Sequence, residues 1–144
     1  MADPRANQKR LGIDTNVLVA YLDGAHPSHK TTAWLAGESV VLNPTVAHEA
    51  YHALVFWAKW SPDEAKGAVL DACSDAKNSF ANQTARTTKI GLELAARHKL
   101  GGRDALILAS LLAAKVTEFR TFDKSLLALK RIIFGKLALV IRPV

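Results

Sequence analysis

Leu11-Gly12-Ile13-Asp14-Thr15-Asn16-Val17-Leu18 is the stretch whose reading decides the fold. An apolar run ends in an acid, and a Thr-Asn pair then opens a second apolar run that reaches Leu22. The economical interpretation is a short buried strand that delivers the Asp14 carboxylate at its carboxyl end, followed at once by a helix over residues 16–22. In open α/β sheets, ligands bind in the crevice beyond the carboxyl ends of the strands, so Asp14 would stand where chemistry is done. Asp is equally a favoured N-cap, and this position alone does not separate the two roles. The question is whether other acids converge on the same place.

Working outward, Asp23-Gly24-Ala25-His26-Pro27 reads as a turn, residues 28–35 as a helix closed by Gly37, and Ser39-Val40-Val41-Leu42 as a short buried strand. Asn43-Pro44 supplies an N-cap and then proline at the first helical position, starting a helix expected to run to about Trp60. Ser61-Pro62-Asp63-Glu64 starts another in the same way, with Ser61 and Glu64 as a capping box, and it reaches about Ala76. Residues 77–83 read as a polar loop. Residues 84–99 read as a helix ended by Leu100-Gly101-Gly102, and residues 103–115 as a helix apolar nearly all round, hence buried. A strand over 116–122, a short helix over 124–130 and a last strand over 137–142 complete the chain. Strands alternating with helices imply one α/β domain over residues 1–144, a parallel sheet covered by helices on both faces.

The 144 residues are enough for a substantial core, and 49% hydrophobic with 22% charged residues excludes a disordered chain. A net charge of +6 favours a polyanionic partner, with nucleic acid ahead of membrane. The single Cys73 excludes an internal disulfide and a cysteine-based metal cluster; its helical spacing marks it as a buried small side chain. Residues 1–10 lack the apolar core of a signal peptide, and the most apolar run, 105–114, is too short to span a bilayer. A cytoplasmic location without membrane contact is the expectation.

Three further acids sit in apolar surroundings. Glu49 shares a helical face with Val46, Ala50, Ala53 and Phe56, where a glutamate is rarely buried without a partner. Asp104 opens the most buried helix, and Asp123 follows Thr121-Phe122 at the end of an expected strand. Asp104 and Asp123 can each be read as N-caps, but Glu49 has no such role. Two like charges about 4 Å apart repel by roughly 4 kcal/mol at an effective dielectric near 20, so four converging carboxylates need a cation or must keep protons. Oxygen ligands without Cys or His imply a hard ion, Mg²⁺ or Mn²⁺. Such an ion beside a basic surface suits phosphodiester hydrolysis by an activated water.

Asp14-Thr15-Asn16, Glu49 after Asn43-Pro44-Thr45, Arg103-Asp104-Ala105-Leu106-Ile107 and Thr121-Phe122-Asp123 resemble, in order and spacing over almost the whole chain, the motifs of PIN-domain ribonucleases. The size is similar to that of the toxin subunits of VapBC-type toxin–antitoxin pairs. The resemblance implies a three-layer α/β/α fold with a central, mostly parallel sheet, and cleavage of RNA that depends on one or two Mg²⁺ or Mn²⁺ ions. It carries catalytic and metal-holding roles onto Asp14, Glu49, Asp104 and Asp123, and supporting roles onto Asn16 and Thr121. A VapB-like antitoxin and a homodimer are the expected protein partners, and a housekeeping RNA-processing nuclease is the variant role within the same family.

The main rival shares a residue with this set. His48-Glu49-Ala50-Tyr51-His52 matches H-E-x-x-H, in which two histidines one turn apart bind Zn²⁺ and the glutamate is the general base of a peptidase. The extended form would need Gly at 55 and His at 58, where Val55 and Ala58 stand, and the zinc pattern leaves Asp14, Asp104 and Asp123 without a role. Phosphotransfer to Asp14 would require a second acid at 16, where Asn16 stands, and a non-catalytic RNA-binding module leaves Glu49 unexplained. Arg103, Arg120 and Lys124 are candidates for RNA phosphates. Residues 97–99 extend that path or simply complement a helix end. Phe56, Trp57 and Trp60 lean towards a dimer or antitoxin contact; Trp34 reads as core or interface.

Overall fold

The computed structural model describes residues 9–144; residues 1–8, and with them most of the segment read as lacking a signal core, lie outside the described residues. β1 (Arg10–Ile13) runs straight into α1 (Thr15–Leu22), and α2 (His29–Thr32), extended by a 3-10 turn over Ala33–Gly37, leads to β2 (Ser39–Leu42). Then α3 (Pro44–Phe56) and α4 (Pro62–Ser74) precede β3 (Ser79–Phe80), and α5 (Ala85–His98) and α6 (Gly102–Ala113) precede β4 (Glu118–Thr121). The last elements are α7 (Lys124–Leu127), β5 (Arg131–Phe134) and β6 (Leu137–Pro143).

The strands form one six-stranded sheet in the order β3-β2-β1-β4-β6-β5, parallel throughout except for the antiparallel β5–β6 pair. The mostly parallel α/β architecture expected from the sequence is therefore the observed one. From β1 the chain steps outward through β2 to β3, then returns past β1 to β4 on the other side. That reversal makes the gap between β1 and β4 a topological switch point, the usual place for a ligand crevice. Both strands end there, in Ile13 and Thr121.

Burial explains why these segments became strands and helices. Leu11 and Ile13 of β1, all four residues of β2 and Phe119 of β4 are buried, as two-sided coverage requires. In α6 the buried residues include Ala105, Ile107, Leu108, Leu111 and Leu112, which sets this helix deep against the sheet. Gly12 lets it come that close, since a Cβ there would lie 2.5 Å from Leu111 Cδ1. Among the described residues, no helix is long and apolar enough to cross a membrane.

Several boundaries differ from the sequence expectation. The polar loop at 77–83 contains β3, an edge strand of two residues whose pairing is extended by Ala81 N–H donating to the Leu42 carbonyl. α3 stops at Phe56 rather than Trp60, because the chain turns through Lys59 at φ 63° and the Trp60 N–H returns to the Leu54 carbonyl. The helix expected over 28–35 is split into α2 and the 3-10 turn. β5 was absent from the expectation. It forms a hairpin with β6 through Gly135, whose φ of 59° suits a residue without a Cβ.

Candidate active site

Asp14 lies just beyond β1 and both caps α1 and faces the crevice. Its Oδ1 accepts the Thr15 N–H at 2.8 Å, and its Oδ2 accepts the Thr121 hydroxyl at 2.9 Å. Thr121 closes β4, is fully buried, and its Oγ1 also accepts the Asp123 N–H at 3.0 Å. One hydroxyl thus ties the acid after the first strand to the acid after the fourth. Burial pushes the Asp14 carboxyl up from its ordinary pKa, the Thr121 and Thr15 bonds pull it back, and the charges of Asp104 and Asp123 raise it further.

Asp123 is set by its own cap. Its Oδ1 accepts the Ser125 hydroxyl at 2.6 Å and the Ser125 N–H at 2.8 Å at the start of α7. The Ser125 hydroxyl, opposed by burial and aided by the Ser125 and Leu126 amides, holds this carboxyl below its usual range. Asp104 stands in the first turn of α6, where the helix dipole favours an anion. Burial, then the charges of Asp123 and Glu49, raise its pKa against the pull of Arg103. Glu49 reaches in from α3: Oε1 accepts the Thr15 hydroxyl at 3.1 Å, and Oε2 pairs with Arg103 Nη1 at 3.0 Å.

All four acids line one cleft of about 680 Å³, together with Thr15, Asn16, His48, His52, Trp57 and Arg103. Mutual repulsion is evident at Asp14 and Asp104, each raised by its acidic neighbours. An all-oxygen donor set under such a field fits a hard divalent cation. Among the described residues, no three His, Cys, Asp or Glu side chains gather into a group that could by itself hold a metal. Mg²⁺ does not require one: it keeps several waters and is commonly held by one or two carboxylates plus the substrate's phosphates.

The model of the PIN domain family matches residues 12–132, from the β1 glycine to β5. The chain belongs to the PIN-domain family. Solved structures share the fold of this PIN domain at low identity. VapC20 of Mycobacterium tuberculosis, described as a toxin that cleaves the sarcin–ricin loop, superposes with a TM-score of 0.68 at 18% identity, over 82% of this chain and 94% of that one. VapBC2 of Rickettsia felis, solved bound to a DNA fragment from its promoter, gives 0.63 at 16% identity, over 94% and 98%. FitAcB of Neisseria gonorrhoeae gives 0.58 at 16%, over 80% and 88%. No curated protein sequence matches significantly.

Within this PIN domain the zinc-peptidase pattern is not assembled. His48 and His52 do line the cleft, but among the described residues they join no group of three ligands. His48 Nδ1 lies 2.9 Å from the Pro44 carbonyl, and the His52 ring tilts against Phe56 at 4.7 Å between centroids. Of the basic candidates, only Arg103 lines the cleft. The Arg120 guanidinium bonds Glu118 at 3.1 Å and the Pro143 carbonyl at 2.8 Å and lies 5.0 Å over the Trp34 ring, so its charge is engaged elsewhere. Lys124 is exposed at the start of α7. Asn16 lines the cleft, whereas the hydrogen bond to Glu49 comes from its neighbour Thr15. Sequence reasoning passed over Thr15 and Ser125. The only available signals were their places beside an acid, in Asp14-Thr15 and Asp123-Lys124-Ser125.

Proposed function

We propose that this PIN domain is a metal-dependent endoribonuclease and the toxin of a toxin–antitoxin pair. The observation that carries the proposal is the convergence of Asp14, Glu49, Asp104 and Asp123, from four separate elements, on one cleft beyond the carboxyl ends of β1 and β4. Membership of the PIN family and the likeness to VapC20, a toxin that cleaves the sarcin–ricin loop, support the reaction class. The four carboxylates would hold one or two Mg²⁺ or Mn²⁺ ions. When bound, such an ion supplies water activation and neutralises charge on the phosphodiester in the transition state.

The chain's own residues do the positioning. Thr121 fixes Asp14 and Asp123 relative to each other, and Ser125 orients Asp123. Thr15 orients both Asp14 and Glu49. Asn16 stands at the cleft wall within reach of a substrate. The net charge of +6 draws the polyanion in. Neighbours solved as toxin–antitoxin assemblies support an antitoxin partner. Trp57 at 80% exposure and Phe56 at 58% give a protein partner or a second copy an apolar surface.

The test is cleavage of a labelled single-stranded RNA by the purified chain with Mg²⁺, with Mn²⁺ and with a chelator. Cleavage is expected only with a divalent ion, and replacing the single 2′-hydroxyl next to the scissile phosphate by hydrogen should leave it largely intact, because water rather than the 2′-oxygen attacks. Metal-independent cleavage, or products ending in a 2′,3′-cyclic phosphate, would sink the mechanism.

A further inference from the structure

Each oxygen of the Glu49 carboxylate has a partner within the protein: Oε1 accepts the Thr15 hydroxyl at 3.1 Å, and Oε2 pairs with Arg103 Nη1 at 3.0 Å. The two partners differ in character. Thr15 is tied to the Asp14 cap and sits on the first turn of α1. The Arg103 side chain is 81% exposed, against 26% for Glu49, and it springs from the exposed start of α6 beside Asp104. Exposed ion pairs are worth only about 0.2–1 kcal/mol, so this one is easily exchanged. The guanidinium is always protonated and presents a fork of donors suited to both carboxylate and phosphate. It also lowers the Asp104 pKa, so its charge is felt by two of the four acids.

We infer that Arg103 is a positioning residue that occupies Glu49 until a divalent ion and an RNA phosphate arrive, and then exchanges the carboxylate for the phosphate. The inference rests on the proposed metal-dependent reaction and adds to it a specific competition. A cation that binds through Glu49 competes with Arg103 for its Oε2. The released guanidinium then stands at the cleft wall, where the incoming phosphodiester brings a replacement anion. Arg103 thereby weakens metal binding in the empty site and strengthens substrate binding in the loaded one.

Mn²⁺ titration by calorimetry at constant, elevated ionic strength tests this with the metal alone, on the intact chain and on Arg103→Ala, Glu49→Gln and the double variant. Arg103→Ala should bind Mn²⁺ roughly 1.5-fold to fivefold more tightly. Glu49→Gln should bind it more weakly, and loss of Arg103 in that background should raise the affinity less than it does in the intact chain. RNA cleavage by Arg103→Ala should nevertheless fall at saturating Mn²⁺, through a raised KM, with partial rescue by Arg103→Lys. Unchanged or weaker Mn²⁺ binding by Arg103→Ala overturns the competition. An equal gain in the Glu49→Gln background overturns it too, since the effect would then be general charge rather than exchange at Glu49. If the intact chain takes up no Mn²⁺, the metal-dependent function itself fails. Uptake without the Arg103 effect removes only the exchange.

Discussion

Asp14 serves as a helix cap through one oxygen and faces the cleft with the other, and both partners that hold it are hydroxyl or amide donors rather than cations. Its raised pKa means that ionising it costs stability: the folded state is favoured below the ordinary Asp range and loses that advantage as pH rises through the shifted value. Asp14→Asn should therefore abolish most cleavage, by about a hundredfold or more, while its Tm in chelator equals or exceeds that of the parent at pH 7. A lowered Tm at neutral pH would refute the electrostatic account, and unchanged cleavage would remove Asp14 from the site. Thr121→Val keeps shape but leaves Asp14 Oδ2 and the Asp123 N–H without their shared partner, a loss of about 1–3 kcal/mol by denaturant titration. Cleavage should fall with it, and Thr121→Ser should restore most of both. Asp14 was legible in the sequence as the end of an apolar run, and Thr121 through the family resemblance of Thr121-Phe122-Asp123. Thr15 and Ser125 were not, because a hydroxyl beside an acid has no meaning until the partner carboxylate is placed.

At the scale of elements, β1 and α6 set the floor of the cleft, and their separation depends on Gly12. Gly12→Ala places a Cβ against Leu111 Cδ1 and should cost about 1–3 kcal/mol, with reduced cleavage because the ends of β1 and α6 carry Asp14 and Asp104. Combined with Leu111→Ala, the loss should be less than the sum of the singles, since the pair shares one space. β4 carries a second charged feature at its amino end. Glu118 is buried, and against the cost of that burial Lys9, Arg120 and Arg142 hold its carboxyl below the usual range. Its contribution is complete above the ordinary Glu range and disappears as pH falls through the lowered value. Glu118→Gln should destabilise by about 1–3 kcal/mol at pH 7 and by progressively less as pH falls below the ordinary Glu range, measured by thermal melts. The helices were legible through their caps and apolar periodicity. β3 and β5 were missed because edge strands of two and four residues need a paired neighbour, not a pattern, to be recognised.

For the whole molecule, the cleft concentrates negative charge in a chain whose net charge is +6. A bound cation stabilises the folded state by mass action, about 2.7 kcal/mol at a hundred times its Kd. Mn²⁺ or Mg²⁺ should therefore raise the Tm by several degrees, and Asp14→Asn should blunt the rise. A Tm indifferent to millimolar Mn²⁺ would count against a cation in the cleft.

The sequence alone determined the alternation of strands and helices, the burial of α6 and the identity of the acids, because apolar periodicity, capping residues and carboxylates in apolar surroundings are local properties. It also carried the resemblance that the family match bears out. Only the tertiary structure decided which groups meet. It brought Glu49 to Thr15 and Arg103, drew Arg120 away to Glu118 and Pro143, and gave the histidines of the zinc pattern no third ligand among the described residues. Those outcomes depend on strand order and on the packing of α3 against α1 and α6, and contacts between residues distant along the chain are fixed by packing rather than by any local pattern.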